Sequence, residues 1–220
     1  MSEATEAAEA KADKTQERLA WLELFAVLLM ALTAVLTAWS AFEASKWGGV
    51  MSIRFNEGGA ARTESIRASN EANRQITIDV SLFTNYVDAF AQGETELATF
   101  YQDRFPDRLA VANDAWLATK PLQTADAPAS PFEMKEYVLT ASVKADALER
   151  KAEQKAKAAR QANQRGDNYT ITSVLFATVL LLAALSSKVR GEKTAILLVA
   201  MATVLFISAF VVIATYPVEI

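Results

Sequence analysis

Neither cysteine nor histidine occurs among the 220 residues. Without cysteine there can be no disulfide, thiolate metal site or lipidated cysteine. Without histidine the chain lacks the side chain that titrates near neutrality unaided, which removes most catalytic triads, zinc centres and haem ligation. Glycine is scarce, at seven residues, and neither GxGxxG nor a P-loop pattern is present. No pair of acids is framed by Gly-rich or metal-spaced motifs, so no catalytic residue, metal ligand or cofactor is nominated and an enzyme is not expected. Between residues 43 and 167 the balance is 16 basic to 18 acidic side chains, which offers no footprint for nucleic acid.

Charge itself is absent from three stretches. Residues 24–42, 168–187 and 194–218 contain no Asp, Glu, Lys or Arg. Each can cross a bilayer, which takes about 20 mostly apolar residues. The expected class is therefore all-α, with three transmembrane helices and a long helical-bundle extracytoplasmic domain. The divisions expected are an N-terminal cytoplasmic segment at 1–18, spans at 19–42, 168–187 and 194–216, the large domain at 43–167, a cytoplasmic loop at 188–193 and an outer tail at 217–220. The lipid bilayer is the first expected partner.

Orientation follows from the short loop between the second and third spans, where Lys188, Arg190 and Lys193 face a single acid, Glu192. Short basic loops stay in the cytoplasm, and Arg18 just before the first span agrees. The acid-rich leader (Glu3, Glu6, Glu9, Asp13, Glu17) is unlike a basic n-region, so the first span is expected to be an uncleaved signal anchor. Trp21, Trp39, Tyr169 and Tyr216 fall near span ends as interfacial anchors. Glu23 could handle protons or cations, but it lies within about a turn and a half of Arg18 and can reach the interface.

No proline interrupts residues 40–91, and Gly93 follows as a C-terminal cap. The apolar repeat Ile76, Val80, Phe83, Val87 and Phe90 predicts the buried stripe of this helix. The same register backwards gives Phe55, Gly59, Arg62, Ile66, Ser69 and Asn73, where the stripe turns small and polar. Asn56, Thr63, Asn70, Thr77 and Thr84 recur at every seventh position, which fits a subunit interface, a pore lining or a solvated face. Glu57, Glu64, Arg67, Glu71 and Arg74 alternate charge at helical spacing and suit exposed ion pairs worth tenths of a kcal/mol. Gly48, Gly49, Gly58 and Gly59 cost the helix about 1 kcal/mol each, which calls for either a close-packing seam or a bend.

A second long helix is expected to start at Ser130-Pro131-Phe132-Glu133, an N-cap, an N1 proline and a capping-box acid, and to run into the second span. Its seam reads Ala141, Ala145, Leu148, Ala152, Ala159, Ala162 and Gly166, with Lys155 at one turn. Alanine there implies a close antiparallel neighbour, most simply the small-residue half of the first helix. The basic run Lys151, Lys155, Lys157 and Arg160 is interleaved with Glu149 and Glu153, as on a solvated face. Two short helices at 94–104 and 107–119 are expected to cap the bundle with Phe100, Tyr101, Phe105, Leu109 and Trp116; a ligand pocket among these aromatics is the alternative.

The segments Thr37-Ala38-Trp39-Ser40-Ala41-Phe42-Glu43-Ala44, Ala61-Arg62-Thr63-Glu64-Ser65, Asp114-Ala115-Trp116-Leu117-Ala118-Thr119 and Ala162-Asn163-Gln164-Arg165 resemble a group of uncharacterised bacterial membrane proteins. The likeness implies a bacterial inner-membrane location and no activity. The functional expectation is a homo-oligomeric scaffold or assembly component with coiled-coil contacts between subunits. An oligomeric channel and a sensor acting through a partner are the alternatives, and other protein partners are not specified by any motif.

Overall fold

The structure, a computed structural model, describes residues 2–189 and 191–219, with side chains from Gln16 onward. The N-terminal side chains and Arg190 lie outside the described residues. Among the described residues five α-helices follow one another: α1 (Ser2–Ala91), α2 (Thr95–Gln102), α3 (Asp107–Ala118), α4 (Thr140–Ser186) and α5 (Glu192–Ala214). No strand occurs among the described residues. The protein is all-α, and α1, α4 and α5 are long and apolar enough to cross a membrane.

The chain forms two compact units, residues 56–156 and residues 1–55 with 157–220. The second, called the membrane unit below, holds the three apolar stretches and extends past their expected ends at 42 and 168. Its interior has two clusters. Leu29, Val179, Ala183 and Ala202 form one, while Trp47, Ala162, Tyr169, Phe176, Ala209 and Ile213 form the other. Leu28, Leu32, Val35, Leu181, Val204 and Ile207 are exposed, an apolar outer surface that would suit contact with lipid. Hydroxyls inside it are satisfied locally: Thr33 donates to the Leu29 carbonyl at 2.6 Å, Ser40 to Leu36 at 2.8 Å and Thr172 to Asn168 at 2.9 Å. Such back-bonding leaves no hydroxyl proton for lipid to solvate. Gly166 permits close approach, since a Cβ there would lie 3.4 Å from the Ala44 carbonyl oxygen and 3.6 Å from the Trp47 Cβ.

The unit of residues 56–156, called the polar unit, pairs the distal part of α1 with the first turns of α4. The buried residues of α1 here are Gly58, Ala61, Ser65, Ala68, Ala72, Asp79, Tyr86 and Ala89. They alternate three and four apart, yet each stands one position before the predicted apolar stripe. That stripe is corrected accordingly: Ile76, Val80, Val87 and Phe90 are exposed, and only Phe83 is partly covered. One position is about 100° of helix rotation, so the buried face is the neighbouring one. Close packing selected small side chains over apolar ones. Ser65 donates to the Ala145 carbonyl at 2.9 Å, and a Cβ on Gly58 would stand 3.3 Å from the Ala152 carbonyl oxygen. Neither approach leaves room for an Ile or Phe.

The C-terminal end of α1 closes as expected. Gly93 takes φ +77°, its N–H bonds the Phe90 carbonyl at 3.1 Å, and the Glu94 N–H bonds Ala89 at 3.0 Å. This is the Schellman pattern, which glycine adopts without a Cβ penalty. The start of α4 differs from expectation. Pro131–Glu133 makes only a 3-10 turn, Ser130 forms no side-chain cap, and Glu133 accepts from the Ala129 N–H at 3.2 Å instead. The α-helix begins at Thr140, after a stretch in which the Phe132 and Tyr137 rings pack edge-on at 5.1 Å in the core of the cap. Edge-on ring contacts organise that core: Phe83 meets Phe132 at 5.6 Å and Trp116 at 5.5 Å, and Tyr86 meets Phe105 at 5.6 Å. Trp116 also donates its indole N–H to the Pro128 carbonyl at 2.7 Å, which ties down the proline-rich loop.

Candidate functional sites

In the polar unit the buried register of α1 reaches an acid, Asp79, with no exposed surface. Arg108 of α3 grips it bidentately, Nε to Oδ2 at 2.7 Å and Nη2 to Oδ1 at 2.8 Å, and the Tyr137 hydroxyl donates to Oδ2 at 2.7 Å. A planar guanidinium matched to both carboxylate oxygens is the geometry that best offsets desolvation of the charge. Burial, and then the neighbouring Asp79 carboxylate, pushes the Tyr137 phenol well above its ordinary value. Asn113, also buried on α3, has no hydrogen-bond partner on either amide atom, and neither has Glu136 Oε2. The triad joins three segments and is structural in character, since its members are spent on one another.

The raised phenol has a consequence at alkaline pH. Because Tyr137 binds its proton more tightly in the folded state, its stabilising contribution is intact below the unfolded value of 10.0 and declines as pH climbs above it. The thermal midpoint of the polar unit is expected to fall between about pH 9 and pH 11, a range that brackets the free phenol. Tyr137→Phe should flatten that slope, leaving a residue from Tyr86, which burial also raises.

A second buried acid stands in the membrane unit. Glu43 lies in the α1 seam three residues after buried Ser40 and four before buried Trp47, and is itself fully buried. Its Oε2 accepts the Glu219 backbone N–H at 3.0 Å, while Oε1 has no partner. The segment carrying Glu219 is fixed beside it. Pro217 offers its carbonyl to the Trp47 indole at 3.2 Å and to the Tyr169 hydroxyl at 3.1 Å, and the Tyr216 ring packs edge-on against Tyr169 at 5.4 Å. Arg165 lies over the Trp47 ring, 4.5 Å from its centroid.

The residues singled out in the sequence are distributed as follows. Gly58 sits against α4 backbone, whereas a Cβ at Gly48, Gly49 or Gly59 would meet nothing within 4 Å. Ala145, Ala152 and Ala159 are buried and Ala141 is partly so. Asn56, Thr63, Asn70 and Thr77 are all exposed, two positions past the buried Ala61 and Ala68 rows and thus about 200° around the helix from the seam. Thr63 and Thr77 spend their hydroxyl protons on the carbonyls of Gly59 and Asn73. Arg18, Lys188 and Lys193 are exposed. Glu23 is exposed as well and lines, with Leu19, Leu22, Ser186 and Val199, a cavity of about 170 Å³. Lys155 pairs with Glu57, and Arg62 with Glu149 at 3.0 Å, so part of the charge on both helices is used across the α1–α4 seam.

Sequence reasoning passed over Glu43 and Asp79. The signal available was their register: each is an acid standing at the three-four spacing of a buried row, Glu43 between Ser40 and Trp47 and Asp79 between Ala72 and Tyr86. A row of that kind is buried by its neighbours, and an acid in it must find a donor.

These features define an all-helical protein with three helices able to cross a membrane and a polar unit capped by aromatic rings. No family model, no curated protein and no solved structure matches the chain.

Proposed function

We propose that this is a non-enzymatic integral membrane protein that assembles with copies of itself into a scaffold or assembly component of the bacterial inner membrane. The observation that carries the reading is the uncovered stripe of α1 in the polar unit. Ile66, Ile76, Val80, Val87 and Phe90 share one three-four register and stay exposed, Phe90 at 60%. A charged helix in water does not ordinarily leave such a row uncovered. A second copy of α1 is the natural cover, because it repeats the same spacing and brings the same seven-residue row of Asn and Thr, a device that fixes register between helices. The basic loop at Lys188 and Lys193 supports an orientation with the polar unit and residues 217–220 outside the cytoplasm. The resemblance to uncharacterised bacterial membrane proteins supports the location. In a ring of subunits the exposed row Asn56, Thr63, Asn70 and Thr77 would supply a hydrated lining, which makes an oligomeric channel the second reading.

A single cysteine tests the assembly cleanly, since the chain has none of its own. Ile66→Cys is expected to cross-link into dimers or larger species with a membrane-impermeant reagent on intact cells, whereas Ala68→Cys, buried in the seam, should not. Monomer alone for Ile66→Cys at native expression would remove the scaffold reading.

A further inference from the structure

We propose that the end of the membrane unit carrying the basic loop holds a site for a phospholipid with a zwitterionic, primary-amine headgroup. A cavity of about 330 Å³ opens there between α1 and α5, lined by Arg18, Trp21, Leu22 and Phe25 of the first helix and by Glu192 and Ile196 of the other. Its chemistry changes along the helix axes. Arg18 and Glu192 stand outside the charge-free stretches 24–42 and 194–218, whereas Phe25 and Ile196 lie just inside them and are 46% and 44% exposed. Charge at one end and uncovered apolar surface at the other suit an amphiphile lying along the helices at headgroup depth, where the Trp21 ring also belongs. Phe25 continues at three-four spacing into exposed Leu28 and Leu32, which gives an acyl chain an apolar track along α1.

The charges select the headgroup. Arg18 and Glu192 line one cavity, yet among the described residues neither is paired with the other or with a further side chain. A guanidinium offers a fork of donors that matches phosphate oxygens, and a carboxylate accepts hydrogen bonds from an ammonium. A lipid that carries both groups satisfies both side chains, with its phosphate on Arg18 and its ammonium on Glu192. A purely anionic headgroup would meet Arg18 but bring a like charge to Glu192. The adjoining cavity, which shares Leu22, adds another acid, Glu23, while its hydroxyls Ser186 and Ser187 donate to the carbonyls of Ala183 and Ala184. Lys188 and Lys193 line neither cavity. Among the described residues one cation and two acids therefore surround Leu22, a balance that disfavours an anionic lipid despite the basic loop nearby.

Native mass spectrometry of the full chain in detergent, with phosphatidylethanolamine and phosphatidylglycerol added singly and in equal amounts, tests the site. The parent chain is expected to retain phosphatidylethanolamine in preference to phosphatidylglycerol. Glu192→Gln removes the charge that holds the ammonium and should shift the retained ratio toward phosphatidylglycerol by about two- to fivefold, the scale of a partly exposed charge pair. Arg18→Gln should lower retention of both lipids by a similar factor. Glycerophosphoethanolamine, the same headgroup without acyl chains, should compete poorly because it forgoes the apolar track. Equal retention of the two lipids by the parent, a parent preference for phosphatidylglycerol, or retention unchanged in Glu192→Gln or Arg18→Gln would overturn the inference. Displacement by glycerophosphoethanolamine at the concentration at which the lipid binds would overturn it as well, since the ligand would then be a soluble amine phosphate. The site rests on the reading of these helices as membrane spans and not on subunit assembly: lipid is counted per chain, so a protein found only as monomer would remove the scaffold reading and leave the lipid site standing.

Discussion

Replacing Arg108 by methionine is expected to destabilise the polar unit by about 3–5 kcal/mol, the cost of stripping one partner from a buried ion pair. The carboxylate left behind has no exposed surface and would retain only the Tyr137 hydroxyl. The reverse deletion is milder. Arg108 is 24% exposed and can turn its guanidinium to water, so Asp79→Leu should cost less than Arg108→Met. The double variant should recover much of the loss, because two apolar side chains of similar volume avoid the desolvated charge altogether. Urea unfolding of the full protein in detergent, read by hydrogen exchange of the α3 amides, gives all three values. Additive losses would show that the pair is not energetically coupled.

Gly58 and Gly59 are adjacent in sequence and should respond to substitution with opposite signs. A Cβ at Gly58 meets the Ala152 carbonyl oxygen at 3.3 Å, the Lys155 Cβ at 3.4 Å and the Ala156 nitrogen at 3.5 Å. Two of those atoms are backbone and cannot swing away. Gly58→Leu adds further carbons against the same surface, and overpacking of this kind costs about 1–3 kcal/mol. The gain in helix propensity, about 1 kcal/mol, offsets part of it. At Gly59 a Cβ meets nothing within 4 Å, so Gly59→Ala should keep the whole propensity gain and stabilise the unit by up to about 1 kcal/mol. Thermal unfolding of the two variants side by side decides the matter. If Gly58→Leu and Gly59→Ala shift the midpoint in the same direction, the α1–α4 approach does not govern packing in the polar unit.

The same geometry explains why the four glycines of α1 looked alike in the sequence. Each interrupts a good helix at the same propensity cost, but only tertiary contact separates Gly58, placed against a carbonyl, from the three with open space. Gly166, on the far side of the polar stretch, is the other glycine whose missing Cβ permits a close contact with a second helix, with the Ala44 carbonyl 3.4 Å away.

Much of the architecture was decided locally. Partition into a bilayer depends on the polarity of about 20 consecutive residues, so the three apolar helices follow from the absence of charge in 24–42, 168–187 and 194–218. The Schellman cap at Gly93 and the alanine row of α4 are likewise short-range properties. Hydropathy misjudged α1 because its seam is held by closeness rather than by apolar bulk: Gly58, Ala61, Ser65, Ala68 and Ala72 score lower than Ile66 and Ile76 yet are the ones buried. The capping-box pattern at Ser130 misled for a related reason: it made only a 3-10 turn, and the chain beyond it places Tyr137 on distant Asp79 before α4 begins.

What the sequence by itself determined, then, is the helical class, the three long apolar helices, the C-terminal end of α1, the ends of α2 and α3 to within a few residues, and the lack of cysteine and histidine. Tertiary structure alone decided which face of α1 is covered and which acids are buried. Arg108 reaches Asp79 across 29 residues, Tyr137 across 58, and the Glu219 N–H reaches Glu43 across 176. An acid on a helix is solvated by default, and only a distant segment folding over it removes the water and gives its charge a consequence.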